Sequence, residues 1–315
     1  MSFPRGRKLI LPILILALVF TGGYLFFRPP VLILTDIPFT ALYGTQRARL
    51  RQLKASLALL RRVKPVIIAD GTGPDMIVFA VEAASFRPYC VVFPARYAEG
   101  AKRYAERFPG VISVLLENSG AGIRGYGGSR AGEDPAEAGG LRVVRTDRRT
   151  DFFRAGLCAG IISGGQTGRI PLFLDKYAVF EDQEAFFKGL QEGGTENSPL
   201  FFTAPSSLDN FNDLTCAVFA GSGAEISEKS PKFPLILFSW LDPALTTRET
   251  LLVFDDSPWA LVVPVVKTVR ALPAAGEVSS SETEIPSKIL IISDRFTDNG
   301  ILRSVKEAVR SELRP

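Results

Sequence analysis

The chain predicts an α/β protein with two doubly wound parallel-sheet lobes joined by a hinge, preceded by one N-terminal transmembrane helix. Three observations carry that expectation. From Val31 onward, short runs apolar on both faces recur, as strands buried in a parallel sheet do. Amphipathic stretches separate them in βαβ alternation. The strands then outnumber what one compact sheet of usual size holds, which divides the chain into two lobes with a cleft between them.

The span comes first. Leu9–Phe27 (LILPILILALVFTGGYLFF) holds no charge and is about long enough to cross a bilayer. Arg5, Arg7 and Lys8 precede it, and Arg28, Pro29 and Pro30 close it. Basic residues on that side favour a cytoplasmic tip, with everything after Pro30 delivered across the membrane. Thr21-Gly22-Gly23 offers small residues near the end of the run, so a cleaved signal peptide and a secreted body is the rival reading. The run is longer than a usual signal core and no Cys lies near it for lipid attachment, which favours a retained anchor. Either way the body is expected to be extracytoplasmic, in the periplasm.

Residues 31–150 read as the first lobe. Strands VLILTD (31–36), PVIIAD (65–70), YCVVFPA (89–95) and VISVLLEN (111–118) alternate with helical stretches over Thr45–Arg62, Asp75–Phe86 and Tyr97–Phe108. In the first of these helices Leu50, Leu53, Leu57 and Leu60 recur at helical spacing. Ser119–Gly140 is rich in Gly and Ala and poor in apolar residues, a surface insertion before LRVVRT (141–146). Residues 151–273 read as the second lobe. Its elements are a helix over Asp151–Ser163, strand RIPLFLD (169–175), a helix over Glu181–Gln191, strands PLFFTA (199–204), CAVFAG (216–221), PLILFSW (234–240) and TLLVFDD (250–256), and an apolar helix over Pro258–Leu272. A polar linker, 274–287, leads to strand KILIISD (288–294) and a helix around Ile301–Leu313, whose home lobe stays open.

Composition removes several function classes. Hydrophobic residues make up 46% and charged residues 22%, ordinary for a chain that folds around a core, and the net charge is +4. No basic run is interleaved with aromatics, so nucleic acid is not an expected partner. There is no histidine, which excludes Ser-His-Asp and Cys-His catalysis and His-ligated zinc. Cys90, Cys158 and Cys216 show neither a metal spacing nor a CxxC motif. They read as small buried hydrophobes, with one disulfide among them left open. No metal or cofactor is expected, and a binding protein is expected over an enzyme.

Carboxylates recur at strand ends: Asp36, Asp70, Asp175, Asp242, Asp255-Asp256 and Asp294. In open α/β sheets that edge lines the ligand crevice. Such groups accept hydrogen bonds from sugar or nucleoside hydroxyls; the plain alternative is that Asp caps the following turn. Aromatics accompany them, with Phe39 and Tyr43 after the first strand, Trp240 before Asp242 and Trp259 after Asp256. The candidate ligand contacts are Asp36, Phe39 and Asp70 from the first lobe, with Trp240, Asp242 and Asp256 from the second.

Other motifs fail on inspection. Gly120–Gly125 spells GxGxxG, but YGGSRAGEDP follows and cannot open the helix that a dinucleotide site needs. Gly164–Arg169 lacks the GK[ST] of a phosphate loop. In DIPFT (36–40) Phe39 stands where a second carboxylate of an aspartyl phosphotransferase would be. Asp255 and Asp256 are adjacent and point to opposite faces, a poor acid/base pair.

One stretch carries a family likeness. DFFRAGLCAGIISGGQTGRIPLFLD (151–175) resembles the hinge-proximal region of type 1 periplasmic binding proteins, the basic membrane protein branch in particular. Phe153, Ala155, Gly156, Ala159 and Gly160 match its helix, Gln166–Arg169 its turn, and Phe186–Leu190 the helix after it. The family's GG at the second-lobe strand end is here Leu174-Asp175, its aromatic-acid turn after strand one is DIPFTALYG, and its late strand end keeps Asp242 alone. The resemblance implies a two-lobed fold closing on a small polar ligand of nucleoside or sugar type, with an ABC permease or another envelope protein as partner. Two alternatives stand beside it: a ligand-free structural or interaction protein on the same fold, and a two-lobed glycosyltransferase or hydrolase.

Overall fold

Strict alternation in the first strand sets the frame of the body. In the computed structural model, which describes residues 22–24, 27–36, 45–69, 71–117, 140–164, 169–174, 180–195, 199–202, 206–207, 214–220, 224–225, 233–238, 250–271, 283–291 and 299–312, β1 spans Val31–Asp36. Its Val31 and Ile33 enter one core layer while Leu32 and Leu34 enter the opposite one. A strand apolar on both faces needs cover on both, and helices supply it. No helix among the described residues is long and apolar enough to cross a membrane. Of the expected span Leu9–Phe27, only 22–24 and 27 are described.

The first sheet runs β13-β5-β4-β3-β1-β2 and is parallel throughout. It joins β1 to β2 (Val63–Ile68), β3 (Cys90–Pro94), β4 (Ile112–Glu117), β5 (Leu141–Thr146) and β13 (Thr283–Ile285). Helices α2 (Pro74–Ala84) and α3 (Ala98–Arg107) cover one face through Ile77, Val78, Val81, Ala101 and Tyr104. Helix α1 (Thr45–Leu59) lies on the other face.

Helix α1 packs the reverse of its pattern. Ala55 and Ser56 are buried, whereas the leucines that mark the helix in sequence, Leu50, Leu53 and Leu57, face outward with Leu60. Its polar residues turn it. Gln52 Nε2 donates to Val63 O at 2.8 Å, and Ser56 Oγ accepts from Val63 N at 3.0 Å, so polar groups join the helix to the start of β2. Leu60 ends the helix in the left-handed region, at φ 49°.

The second sheet runs β14-β12-β11-β9-β6-β7. It comprises β6 (Pro171–Phe173), β7 (Leu200–Phe202), β9 (Ala217–Phe219), β11 (Leu235–Phe238) and β12 (Thr250–Asp255), all parallel, with β14 (Lys288–Ile291) antiparallel beside β12. A separate pair joins β8 (Ser206–Ser207) to β10 (Ala224–Glu225). Helices α4 (Arg148–Ser163), α5 (Phe180–Glu192) and α7 (Asn299–Glu312) share the core on one face.

Helices α4 and α5 meet backbone to backbone. A Cβ at Gly156 would fall 2.1 Å from Phe186 O, and one at Gly189 would fall 1.9 Å from Phe153 O. Only glycine permits that approach, and the exchange of close main-chain contact for side-chain volume draws the helices together. Arg148 ties the same pair by donating from Nε to Asp182 Oδ2 at 2.6 Å.

Residues 151–273 were expected to form the second lobe, but helix α6 (Pro258–Ala271) leaves it. Trp259, Leu261, Val262, Val265 and Val269 fill the first-lobe core beside β1 and β3. The expected linker 274–287 contributes β13 to the first sheet, while β14 and α7 settle the open C-terminal elements in the second lobe. Sequence periodicity says that α6 is apolar on most sides, not which sheet it covers. The insertion Ser119–Gly140 lies outside the described residues except Gly140.

Two outcomes test this packing. Gly189→Ala should lower the free energy of unfolding by about 3 kcal/mol, because a methyl group has no room against Phe153 O. Gly110→Ala, with nothing within 4 Å of the added atom, should leave denaturant unfolding unchanged. Cys90, Cys158 and Cys216 are free and buried, and burial pushes each thiol up to about 12. With so little thiolate, native protein should resist iodoacetamide at neutral pH, and mass spectrometry should find all three labelled after unfolding.

Candidate functional site

The chain passes between the two sheets three times, and each passage joins C-terminal strand edges. The first leaves β5 at Thr146 and enters α4 at Arg148. The second leaves β12 at Asp255 and enters α6 through Asp256 and Ser257. The third leaves β13 at Ile285 and enters β14 through Pro286 and Ser287, where Lys288 pairs with Asp255. The C-terminal edges of both parallel sheets are therefore turned toward one another at a three-stranded hinge. That opposition defines the candidate binding region.

Buried polar groups bind the passages together. Asp147 N donates to Ile285 O at 3.0 Å, which links the first to the third, and Asp147 Oδ1 caps α4 by accepting from Thr150 N. Asp151, fully buried one turn into α4, accepts from Ser287 N at 2.9 Å and is joined by Ser287 Oγ at its other oxygen. Arg154 Nη1 donates to Ser287 O at 3.1 Å and lies 3.9 Å from Asp151. In the second passage Asp255 Oδ1 accepts from both N and Oγ of Ser257, and Ser257 Oγ caps α6 at Ala260 N. Arg51 of α1 reaches across to Asp255 Oδ2 at 3.0 Å, an ion pair between the lobes.

Burial raises the Asp151 carboxyl to about 8, against the opposing pull of the Ser287 hydrogen bonds and Arg154, and Asp256 adds to the rise. Near neutral pH Asp151 therefore carries its proton and bridges Ser287 as a neutral acid. The pair Glu117 and Arg145 face each other across β4 and β5, with Arg145 Nε donating to Glu117 Oε2 at 2.7 Å. These two sit at the same edge as Asp36.

Of the residues expected to contact ligand, Asp36 ends β1 in register with Ile68. Its side chain is outside the described residues, as are Phe39, Asp70, Trp240 and Asp242 entirely. Asp256 is fully buried in the second passage, within electrostatic reach of Asp151. Trp259 is core, packed under the first sheet. The second-lobe edge presents Phe173, Phe219 and Phe238, all buried, with Phe173 and Phe219 stacked at 4.7 Å. The polar chemistry that is described thus lies on the first-lobe edge and at the hinge. Sequence reading passed over Glu117, Arg145, Asp151, Arg154 and Ser287. Asp-Asp-Ser-Pro before an apolar helix was the available signal for the second passage.

A pH dependence follows from Asp151. Between the ordinary carboxylate value and about 8 the folded chain holds a proton that the unfolded chain has released, so stability falls as pH rises across that window. Asn keeps an acceptor for Ser287 N and a donor for Ser287 Oγ without titrating. The unfolding free energy of Asp151→Asn relative to wild type should increase steadily from pH 4 to 8, as read by urea titration, whereas a flat difference would contradict the assignment.

No protein-family model matches the chain. No curated protein matches it either. Similar solved structures include an arabinose-binding protein from Geobacillus stearothermophilus, 11% identical over 86% of this chain and 100% of its own, with a TM-score of 0.47. A sugar-binding protein of a sugar ABC transporter from Bacillus halodurans is 10% identical over 84% of this chain and 98% of its own, with a TM-score of 0.47. An ABC transporter solute-binding protein from Conexibacter woesei is 13% identical over 91% of this chain and 98% of its own, with a TM-score of 0.44. The two-lobed parallel architecture stands on the sheet orders and the three crossings of this chain itself.

Proposed function

We propose that the protein is a membrane-anchored, extracytoplasmic binding protein that closes on a small polar ligand, nucleoside- or sugar-like, for ABC-type uptake or for sensing. The observation that carries this is the opposition of two C-terminal strand edges at a three-stranded hinge. Each passage is a few residues long, so rotation there brings one edge onto the other with both sheets intact. Asp36, Phe39 and Asp70 from the first lobe, and Trp240, Asp242 and Asp256 from the second, are the proposed contacts. Retention of Leu9–Phe27 as anchor, and kinship with the basic membrane protein branch through residues 151–175, belong to the same proposal.

A second reading has an observation of its own. The Arg51–Asp255 ion pair and the Arg154–Ser287 bond span the hinge region, with Asp255, Arg154 and Ser287 buried and Arg51 part-buried. A pinned hinge suits a protein that keeps the fold as a fixed interaction body.

Calorimetry of the full chain against a panel of nucleosides and monosaccharides separates the two. A binding protein takes up one class, and Asp36→Asn and Asp242→Asn each weaken it by roughly tenfold to a hundredfold, the worth of a hydrogen bond to a charged acceptor. Unfolding temperature should stay unchanged. Absence of any heat or thermal shift across the panel would leave the interaction-body reading in place.

A further inference from the structure

The outward leucines of α1 are the least expected surface of the body. Leu50, Leu53, Leu57 and Leu60 are 57%, 54%, 46% and 49% exposed; helical spacing places the first three in one stripe, and Leu60 follows just past the helix end. Cations flank it: Arg49 and Lys54 are exposed on the helix, and α1 carries no acid. At the helix end Arg61 lies within electrostatic range of Arg28 and of Arg270 from α6, so cations of three segments gather there. A stripe of leucines bordered by like cations is the pattern of a helix lying in the plane of an anionic membrane surface.

The strand entry puts this stripe beside the expected anchor. Arg61 Nη1 donates to Pro29 O at 3.2 Å, and Val31 N donates to Arg62 O at 2.8 Å. The apolar run Leu9–Phe27 therefore joins the fold at the same end of α1 where Leu57 and Leu60 are exposed. Leu60 adds a local clue. Among the described residues it alone holds a positive φ without being glycine, at a helix end where glycine relieves the strain. Its side chain is half exposed there. Exposed Met76 and Phe79 of α2 stand instead beside the ion pairs Asp75–Arg103 and Glu82–Arg107, whose charges cancel and leave no surplus of cations for an anionic bilayer.

We propose that the leucine face of α1 docks on an anionic lipid bilayer, holding the two-lobed body flat against the membrane. It rests on the membrane-attached reading above only for which bilayer is met. The unlike inward and outward faces of α1 then serve two tasks. Arg51, Gln52 and Ser56 fasten the helix to the body, and the leucines enter the headgroup layer between Arg49, Lys54 and Arg61.

The test uses the full chain in vesicles of phosphatidylcholine alone or mixed with phosphatidylglycerol. A fluorophore is placed at Leu53→Cys, the native thiols being buried, with Glu106→Cys on the opposite helix layer as control. Nitroxide lipids should quench the Leu53 probe several-fold more in anionic than in neutral vesicles and leave the Glu106 probe unchanged. Arg49→Gln with Lys54→Gln should weaken docking by roughly twenty-five-fold, about fivefold for each cation near the surface, with unfolding unaltered. Flotation reads the anchor separately. A chain that floats with both vesicle types has an inserted anchor, whereas one that floats only with anionic vesicles lacks it and still docks through α1. Equal access of iodide to the Leu53 probe in both vesicle types would overturn the proposal. Shielding without lipid quenching would also overturn it, and energy transfer between copies would then identify a second chain as the cover instead of the protein's own segment.

Discussion

Burying carboxylates at a hinge is the constraint from which the rest of this molecule follows. Asp151 and Asp255 lie out of water where the chain crosses between sheets, and each must find hydrogen bonds there. Asp151 makes both with Ser287, accepting from its N and bonded to its Oγ, which fixes the third passage against the start of α4. Asp255 takes its own from Ser257 and from Arg51, which fixes the second passage and draws α1 toward the hinge. Removing either carboxylate's partners leaves a buried acceptor unsatisfied, so the three passages hold one another in place.

The orientation of α1 descends from that need. Arg51 reaches Asp255 from one flank of the helix, while Gln52 and Ser56, further round the wheel, meet the start of β2. A helix has one inward face, and here polar chemistry takes it. The leucines are left outside as the geometric remainder. One electrostatic requirement in the interior thereby decides the character of an external surface. The second lobe reaches its own tightness differently, by deleting side chains so that α4 and α5 touch through Gly156 and Gly189.

What was legible in the sequence was whatever depends on a local period. VLILTD announces β1 and its two buried faces, and the βαβ alternation announces two parallel sheets. The helix over 151–163 and its small residues were also visible, because close helix contact requires Gly156 and Gly160 in the sequence itself. Assignments that depend on distant partners were not legible. PWALVVPVVKTVRA is equally apolar whichever sheet it covers, and only the passage at Ser257 sends it back to the first lobe. Thr283–Ile285 is too short to show alternation and gains strand form from pairing with β5. The α1 leucines have the spacing of a core stripe, and nothing local tells that Arg51 has a buried partner 204 residues away. At the site, strand-end carboxylates could be picked out by position alone, whereas Asp151 and Ser287, 136 residues apart, become neighbours only through folding.

The return of α6 and β13 has a consequence for how the protein comes into being. The first lobe draws on residues 31–146 and again on 258–285, so most of the second lobe, up to β12, is inserted within it, while β14 and α7 follow it. As a ribosome releases the chain from its N-terminus, β1 to β5 emerge with one sheet face still lacking the Trp259–Val269 cover. The second lobe can assemble almost whole in the meantime, except for its edge strand and last helix. A nascent first lobe must wait with apolar surface uncovered until nearly the entire polypeptide is out. A chain that cannot complete its first core early gives a chaperone an extended window in which to hold it.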